Sequence, residues 1–298
     1  MKKTYISFMS NLFIWLLIIT PLFTQEKKVT LLEEVIAGIK YNESLLKDWR
    51  LTCIETIKPK DKPSWEEIWV WAEKGEKLYR EKKEKDKNTP LSIVSFDGEV
   101  LRIWSNNNKA GIKVPTHKDF VDCFFITVGP LHLFKILRYL EKPLLTILEK
   151  EKGNITVNLS DKIEYINGHP CYLLEIIWRG KEIGNYYLEY QLWIDYQRGF
   201  RPIKMTEAMK DKNGNPHLKS IIEVEIEKFG ENIWFPVKGK IEGWVYDEKS
   251  GIRAHTTYGL ILKNIEINTE LPDTFFKIRF PKGTMVYDDR TGVNYTIE

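Results

Sequence analysis

The sequence predicts a mainly β protein of the α+β class, in which a long antiparallel meander curls into an open, half β-barrel. An N-terminal helix and a helical lid accompany the sheet. Three observations support this prediction: alternating apolar and polar runs occupy residues 162–267, a capped helical run precedes the strands, and an apolar segment without alternation interrupts them. A period of two marks a strand that buries one face.

The array at 162–267 contains six alternating runs. The clearest places Ile222, Val224 and Ile226 on one face and three glutamates on the other. Asn167-Gly168 is a strong hairpin signal, and the other connections are also short. Such connections require antiparallel neighbours, because a parallel return needs a crossover of about a dozen residues or more. Several runs reach about twice the common strand length, and long twisted strands curl towards a barrel.

The elements outside the array follow from local signals. Thr30 and Glu33 form a capping box that predicts a helix over 31–41. The charged run Lys77–Lys82 is predicted to be an exposed edge strand protected by lysines. The remaining predicted strands are Trp49–Ile57, Trp65–Ala72 paired with Lys77–Lys82, Leu91–Phe96 paired with Glu99–Trp104, a short strand at 111–114, and a closing hairpin over 285–295.

Residues 115–153 contain no alternation. The apolar residues that follow Gly129-Pro130 cover more than half of a helix circumference, and Pro143 ends one helix and can start the next. We therefore predict a helical insertion over about 130–151. Its apolar breadth indicates a lid that is buried on the sheet or plugs its mouth.

The N-terminus predicts export. Lys2 and Lys3 precede a short apolar core, Leu12–Phe23, as in a secretory signal. We assign residues 1–25 to the signal and 26–298 to a single domain, which places the protein in the periplasm or cell envelope. The segment around Thr24 lacks a small-x-small cleavage pair, so an uncleaved membrane anchor is the alternative. Without the two lysines the formal charge of +3 falls to +1, which gives no reason to expect nucleic acid.

No catalytic signature, cofactor motif or convincing metal site is present. His117, Asp122, Cys123 and His132 are candidate metal ligands, but their irregular spacing differs from that of zinc sites. Export permits one disulfide among Cys53, Cys123 and Cys171, and three small apolar core residues are an equally good interpretation. We therefore predict that the protein is not an enzyme, and that it uses no cofactor and no metal.

Aromatic residues form one notable stripe, in which Trp65, Trp69 and Trp71 share a strand face. Such a stripe usually marks core or cross-strand packing. A sugar-binding or lipid-lining face is the alternative interpretation.

The order of these elements resembles the LolA/LolB-like lipoprotein-carrier family. The resemblance rests on the helix and first strand within Leu31–Ile57, the Asp97-Gly98 hairpin, the helical segment Leu131–Lys150, the long meander and the ending Phe280-Pro281-x-Gly283-Thr284. It implies an open barrel around an apolar cavity for acyl chains, with no catalysis. In the carriers an arginine of the early strands helps to hold the lid closed, and Arg50, Arg80 and Arg102 are the candidates here.

The main functional hypothesis is an exported carrier that binds acyl chains or a lipidated protein. The alternative is a non-enzymatic sensor or scaffold of the envelope with a filled barrel, which binds other envelope proteins through an apolar patch or an edge near Trp65–Lys82. The predicted ligand-binding residues are Leu133, Phe134 and Leu137 of the lid and Leu188, Leu192, Ile222 and Val224 of the sheet.

Overall fold

The computed structural model describes residues 31–85, 90–114, 153–179, 185–247 and 251–298. A helix, α1, spans residues 31–44, which confirms the helix predicted from the capping box and extends it by one turn. Within these ranges no helix is both long enough and apolar enough to cross a membrane. The predicted lid at about 130–151 lies outside the described residues.

The described ranges form fifteen strands. They are β1 (Asp48–Pro59), β2 (Trp65–Lys74), β3 (Lys77–Lys83), β4 (Pro90–Phe96), β5 (Leu101–Ser105), β6 (Lys109–Lys113), β7 (Ile155–Ile166), β8 (His169–Trp178), β9 (Tyr186–Asp195), β10 (Arg201–Asp211), β11 (Pro216–Phe229), β12 (Ile233–Asp247), β13 (Gly251–Ile267), β14 (Met285–Asp288) and β15 (Val293–Thr296).

All fifteen strands belong to one open sheet, in the order β15-β14-β6-β5-β4-β3-β2-β1-β13-β12-β11-β10-β9-β8-β7. Neighbouring strands are antiparallel except for β14, which runs parallel to β6. The first and last strands in this order do not pair with each other, so the sheet stays unclosed. The predicted mainly β fold with an open half-barrel and an N-terminal helix is therefore confirmed.

Most predicted hairpins are also confirmed. Asn167 and Gly168 join β7 to β8 with φ values of 52° and 82°, the left-handed pair that a type I′ turn requires. The array is longer than predicted, since β7 begins at Ile155 rather than near Lys162. It contains seven strands, β7 to β13, rather than six. The closing hairpin exists as β14 and β15, and it extends the sheet beyond β6.

The prediction of an exposed edge at Lys77–Lys82 is wrong. β3 lies inside the sheet, between β2 and β4. Its charged residues do not serve to protect an exposed edge, since Arg80 and Glu81 are both buried. A charged composition alone therefore does not identify an edge strand, because aromatic rings and acidic side chains of the neighbouring strand can pair with the charges inside a sheet.

The helix α1 packs tightly against the turn between β9 and β10. Val35 and Ile39 are buried in the main core, and Phe200 of the turn packs against the same core. Arg201, almost fully buried, donates hydrogen bonds to the carbonyl oxygens of Asn42 (3.3 Å) and Trp234 (3.0 Å). A cation at the C-terminal end of a helix is favourable, because unpaired carbonyls point there. Burial lowers the pKa of Arg201 to about 10, so it stays charged at neutral pH.

Replacing Gly38 with alanine should destabilise the protein by about 1–3 kcal/mol, although alanine favours a helix. A Cβ at Gly38 would lie 2.2 Å from Cδ2 of Phe200, so the ring or the helix must shift. Urea unfolding measures the change. In a Phe200→Ala background the same substitution should be neutral or stabilising, and an equal cost in both backgrounds would show that the ring is not the cause.

The outer face of β2 and β3 carries a second, smaller core. After β13 the chain crosses this face, and a 3₁₀ turn, Asp273–Phe276, places Phe276 against Ala72 and Leu271. Asp273 forms ion pairs with Lys74 (3.0 Å) and Lys77 (2.6 Å). Farther along, Phe280 packs against the outer side of β6 and β14. The C-terminal segment therefore holds the first half of the sheet from outside.

Candidate ligand-binding face

The inner face of the half-barrel is the candidate site. Strand register defines it through one continuous row of directly opposed residues that crosses nine strands. The row runs Leu159, Leu174, Leu192, Met205, Ile222, Ile241, Tyr258, Ile57, Trp65. All but Tyr258 and Trp65 are buried, and Trp65 at the end of the row is 45% exposed. The inner face is thus apolar across most of the sheet.

The structure places the four sheet residues predicted to bind ligand on this inner face. Leu192 and Ile222 belong to the row itself, and Val224 lies two residues along β11 from Ile222. Leu188 lies farther along β9, opposite Trp178 and Met209. All four are buried members of the main core cluster. The other predicted residues, Leu133, Phe134 and Leu137, lie outside the described residues.

One corner of the inner face is charged. On β1, β2 and β3 the register brings Glu55, Glu67, Arg80 and Lys82 around the ring of Trp69, and we name these four residues the inner charged cluster. The guanidinium carbon of Arg80 lies 3.9 Å from the centroid of the Trp69 ring, a cation–π geometry. Lys82 Nζ lies 2.7 Å from a carboxylate oxygen of Glu67.

Glu55 is the least solvated acid of this cluster. Its side chain is buried, and Glu67 lies directly opposite on β2. Burial, followed by repulsion from Glu67, raises the pKa of Glu55 to about 7, and Arg80, Trp69 and Lys82 only partly oppose the shift. The charge of this corner therefore changes near neutral pH. Burial and Glu55 also raise the pKa of Tyr258.

The three candidate arginines lie on different parts of the sheet. Arg80 faces inward beside the Trp69 and Trp71 rings. Arg50 lies on the outer face, 4.0 Å from Glu266 and over the ring of Phe275. Arg102 is bonded to Asp97 in the β4–β5 turn at 2.7 Å. Arg80 is therefore the one of the three that lies on the candidate site.

Reasoning from the sequence did not identify the inner charged cluster, although the signal was present. Glu55 has the same parity as Leu51, Cys53 and Ile57, the apolar positions of β1, and Glu67 has that of Trp69. An acidic residue at a position whose neighbours two residues away are apolar must face the core.

The described residues offer little for catalysis. No group of three or more His, Cys, Asp or Glu side chains in the described part of the chain could hold a metal ion. Cys53 and Cys171 are free and buried. Burial raises the pKa of Cys171 to about 12 and that of Cys53 further, so neither thiol is an activated nucleophile.

No family model matches the sequence, and no curated protein matches it significantly. Several solved structures match the chain in fold. An outer-membrane lipoprotein-sorting protein domain from Vibrio parahaemolyticus, described as putative, superposes with a TM-score of 0.54 over 82% of this chain and 94% of that chain, at 14% identity. The chain shares the fold of that domain.

Two further structures are similar to this chain. A LolA superfamily protein from Nitrosomonas europaea covers 81% of this chain, with 96% of its own length, at 14% identity and a TM-score of 0.48. A DUF1329 family protein from Desulfovibrio piger covers the same shares at 16% identity and a TM-score of 0.49. At such identities a likeness establishes the fold alone.

Proposed function

We propose that this LolA-like protein is an exported, non-catalytic carrier that holds acyl chains of a lipid or a lipidated protein against its inner face. The observation that supports the proposal is the apolar row that crosses nine strands of an unclosed sheet. The similar structure from Vibrio parahaemolyticus is described as a lipoprotein-sorting domain, which agrees with this function.

Apolar burial alone provides the affinity in this proposal. Each methylene that leaves water contributes about 0.8 kcal/mol, so a long acyl chain binds without any reaction. Leu188, Leu192, Ile222 and Val224 form the sheet side of the site, and Leu133, Phe134 and Leu137 complete it from the lid. No cofactor takes part.

In the same proposal the inner charged cluster receives the polar end of the ligand or of the lid. Arg80 is the arginine that holds the lid closed, since it is the inward-facing candidate and is positioned by two tryptophan rings.

Replacing Gly243 with leucine should weaken acyl-chain binding at least about tenfold, the equivalent of 1.4 kcal/mol. Gly243 lies on the inner face, opposite Ser220 and Thr256, and the nearest atom to an added Cβ is 4.0 Å away. The added Cβ therefore fits without a clash, and the rest of the leucine side chain would extend into the space proposed for the ligand. Displacement of a fluorescent fatty acid measures the affinity.

Gly259 provides the matched control. It lies on the opposite, outer face of β13, and an added Cβ there would also meet its nearest atom at 4.0 Å. Gly259→Leu should bind the fatty acid as the unmodified protein does. Equal affinities in both variants would place the acyl chain elsewhere than the inner face.

Organic extraction of the purified full chain, followed by mass spectrometry, tests the proposal independently. We expect a co-purifying lipid. The absence of both lipid and fatty-acid binding, together with stable capture of envelope proteins, would favour the alternative, a sensor or scaffold protein with a filled barrel.

A further inference from the structure

The outer face of the array carries a groove that the carrier function does not use. It has a volume of about 680 Å³ and crosses β7, β8, β9, β10 and β11. A strongly twisted sheet is saddle-shaped, so its outer face is concave along one diagonal. The groove extends towards the β10–β11 turn, where a second depression of about 420 Å³ shares Pro216 and Tyr246 with it. The combined shape suits an elongated ligand.

A ladder of polar side chains forms one side of this groove. Asn158, Glu175, Gln191 and Thr206 are directly opposed on successive strands. Asn158 and Gln191 donate to the two oxygens of Glu175 at 3.0 and 3.1 Å, and Thr206 donates to Gln191 at 3.1 Å. These bonds fix the orientation of the amides and leave each of them further donors and acceptors for a ligand.

The neighbouring row is partly apolar. Ile177, Glu189, Ala208 and Lys219 follow one another across the strands, two residues away from the ladder. Ala208 leaves a shallow space between the side chains of Glu189 and Lys219. Tyr246 adds an aromatic ring at the end of the groove. Apolar surface at Ile177 and Ala208, beside a row of hydrogen-bonding groups, matches a ligand with one C–H face and one hydroxyl edge.

Charge and backbone pairing narrow the class of ligand. The outward-facing side chains that line the groove include two glutamates, at 175 and 189, and two lysines, at 210 and 219, so the groove is close to neutral. An anionic polymer has no reason to bind there. β8, β9 and β10, which form the floor, are paired on both sides, so an extended peptide cannot add a strand to them. Recognition must use side chains.

We infer that this outer groove binds a neutral oligosaccharide chain through the Asn158–Glu175–Gln191–Thr206 ladder, with its sugar rings lying over Ile177 and Ala208. The repeat of the ladder is the spacing between strands, about 4.8 Å, which is close to the length of one sugar unit. The groove and the inner face are on opposite sides of the sheet. A failure to bind sugars would therefore leave the acyl-chain proposal unaffected, and the reverse also holds.

Calorimetric titration of the full chain with chitotetraose and with cellotetraose tests this inference. We expect saturable binding of at least one of the two. Ala208→Trp should abolish it by filling the groove, and Gln191→Ala should weaken it at least about tenfold by removing the centre of the ladder. Circular dichroism establishes whether each variant is folded. If Ala208→Trp does not fold, the affinity of Gln191→Ala for the sugars tests the inference by itself.

Lys238→Trp is the control, because Lys238 lies on the same outer face but away from the groove, in an exposed ion pair with Glu225. It should bind the sugars unchanged. The inference is overturned if neither tetrasaccharide binds, if Ala208→Trp binds as well as the unmodified protein, or if a neutral Ser-Ala peptide of similar length binds in the groove instead.

Discussion

Replacing Phe276 with alanine should lower the free energy of unfolding by about 3–5 kcal/mol. Phe276 is fully buried on the outer face of the sheet, where it contacts Ala72 and Leu271 and packs edge-on against Phe275 at 5.4 Å. Its loss leaves a cavity at the point where the C-terminal segment attaches to the strands. Urea unfolding measures the effect as a lower midpoint at an unchanged slope.

Phe275→Ala is the matched control for this experiment. The ring of Phe275 is only half-buried, and besides Phe276 it contacts the ring of Tyr79 at 4.6 Å and the guanidinium of Arg50 at 5.2 Å. We expect it to cost about 1 kcal/mol. Similar costs for the two substitutions would contradict the view that Phe276 anchors the segment.

Replacing Glu55 with glutamine should stabilise the protein at pH 8 by on the order of 3 kcal/mol and have little effect at pH 4. The pKa of Glu55 rises from an ordinary value of 4.5 to about 7 in the folded protein. Folding therefore favours the protonated form. A shift of this size corresponds to about 1.4 kcal/mol for each pH unit between the two values.

The direction of the effect follows from proton binding. Between pH 4.5 and 7 the folded state holds the proton that the unfolded state has lost, so stability from this group is full below pH 4.5 and declines as pH rises through 7. Glutamine cannot ionise and removes that decline. The measurement is the difference in unfolding free energy between variant and unmodified protein at several pH values.

Glu66→Gln is the control for the pH experiment. Glu66 is adjacent to Glu67 but lies on the outer face, in an exposed ion pair with Lys85. Exposed pairs contribute at most about 1 kcal/mol, so its profile should run parallel to that of the unmodified protein. A parallel profile for Glu55→Gln as well would show that Glu55 is solvated rather than buried.

The strand array was predictable because its signal is local. In β11 the alternation of Ile222, Val224 and Ile226 with glutamates is the burial pattern itself, and Asn167-Gly168 needs no distant residue to form its turn. The same locality made Leu192 and Ile222 predictable as members of one buried face. Each of these features is decided by neighbours within a few residues.

The position of β3 was not predictable in the same way. Its run of lysines and glutamates has the composition of an edge strand. β2 and β4 precede and follow β3 in the chain, but its inward-facing charges have partners only in the folded sheet, where Trp69 receives Arg80 and Glu67 pairs with Lys82. The parallel pairing of β14 with β6 joins segments that are far apart in the chain.

By itself, the sequence determined the class of fold, the hairpins and the parity of the apolar face, because alternation and turn chemistry act over short distances. Only the tertiary structure decided that the inward charged residues of three strands meet around Trp69, which arginine lies there and where the outer groove forms. Those features arise from strand register and sheet twist, which bring together residues that no local pattern connects.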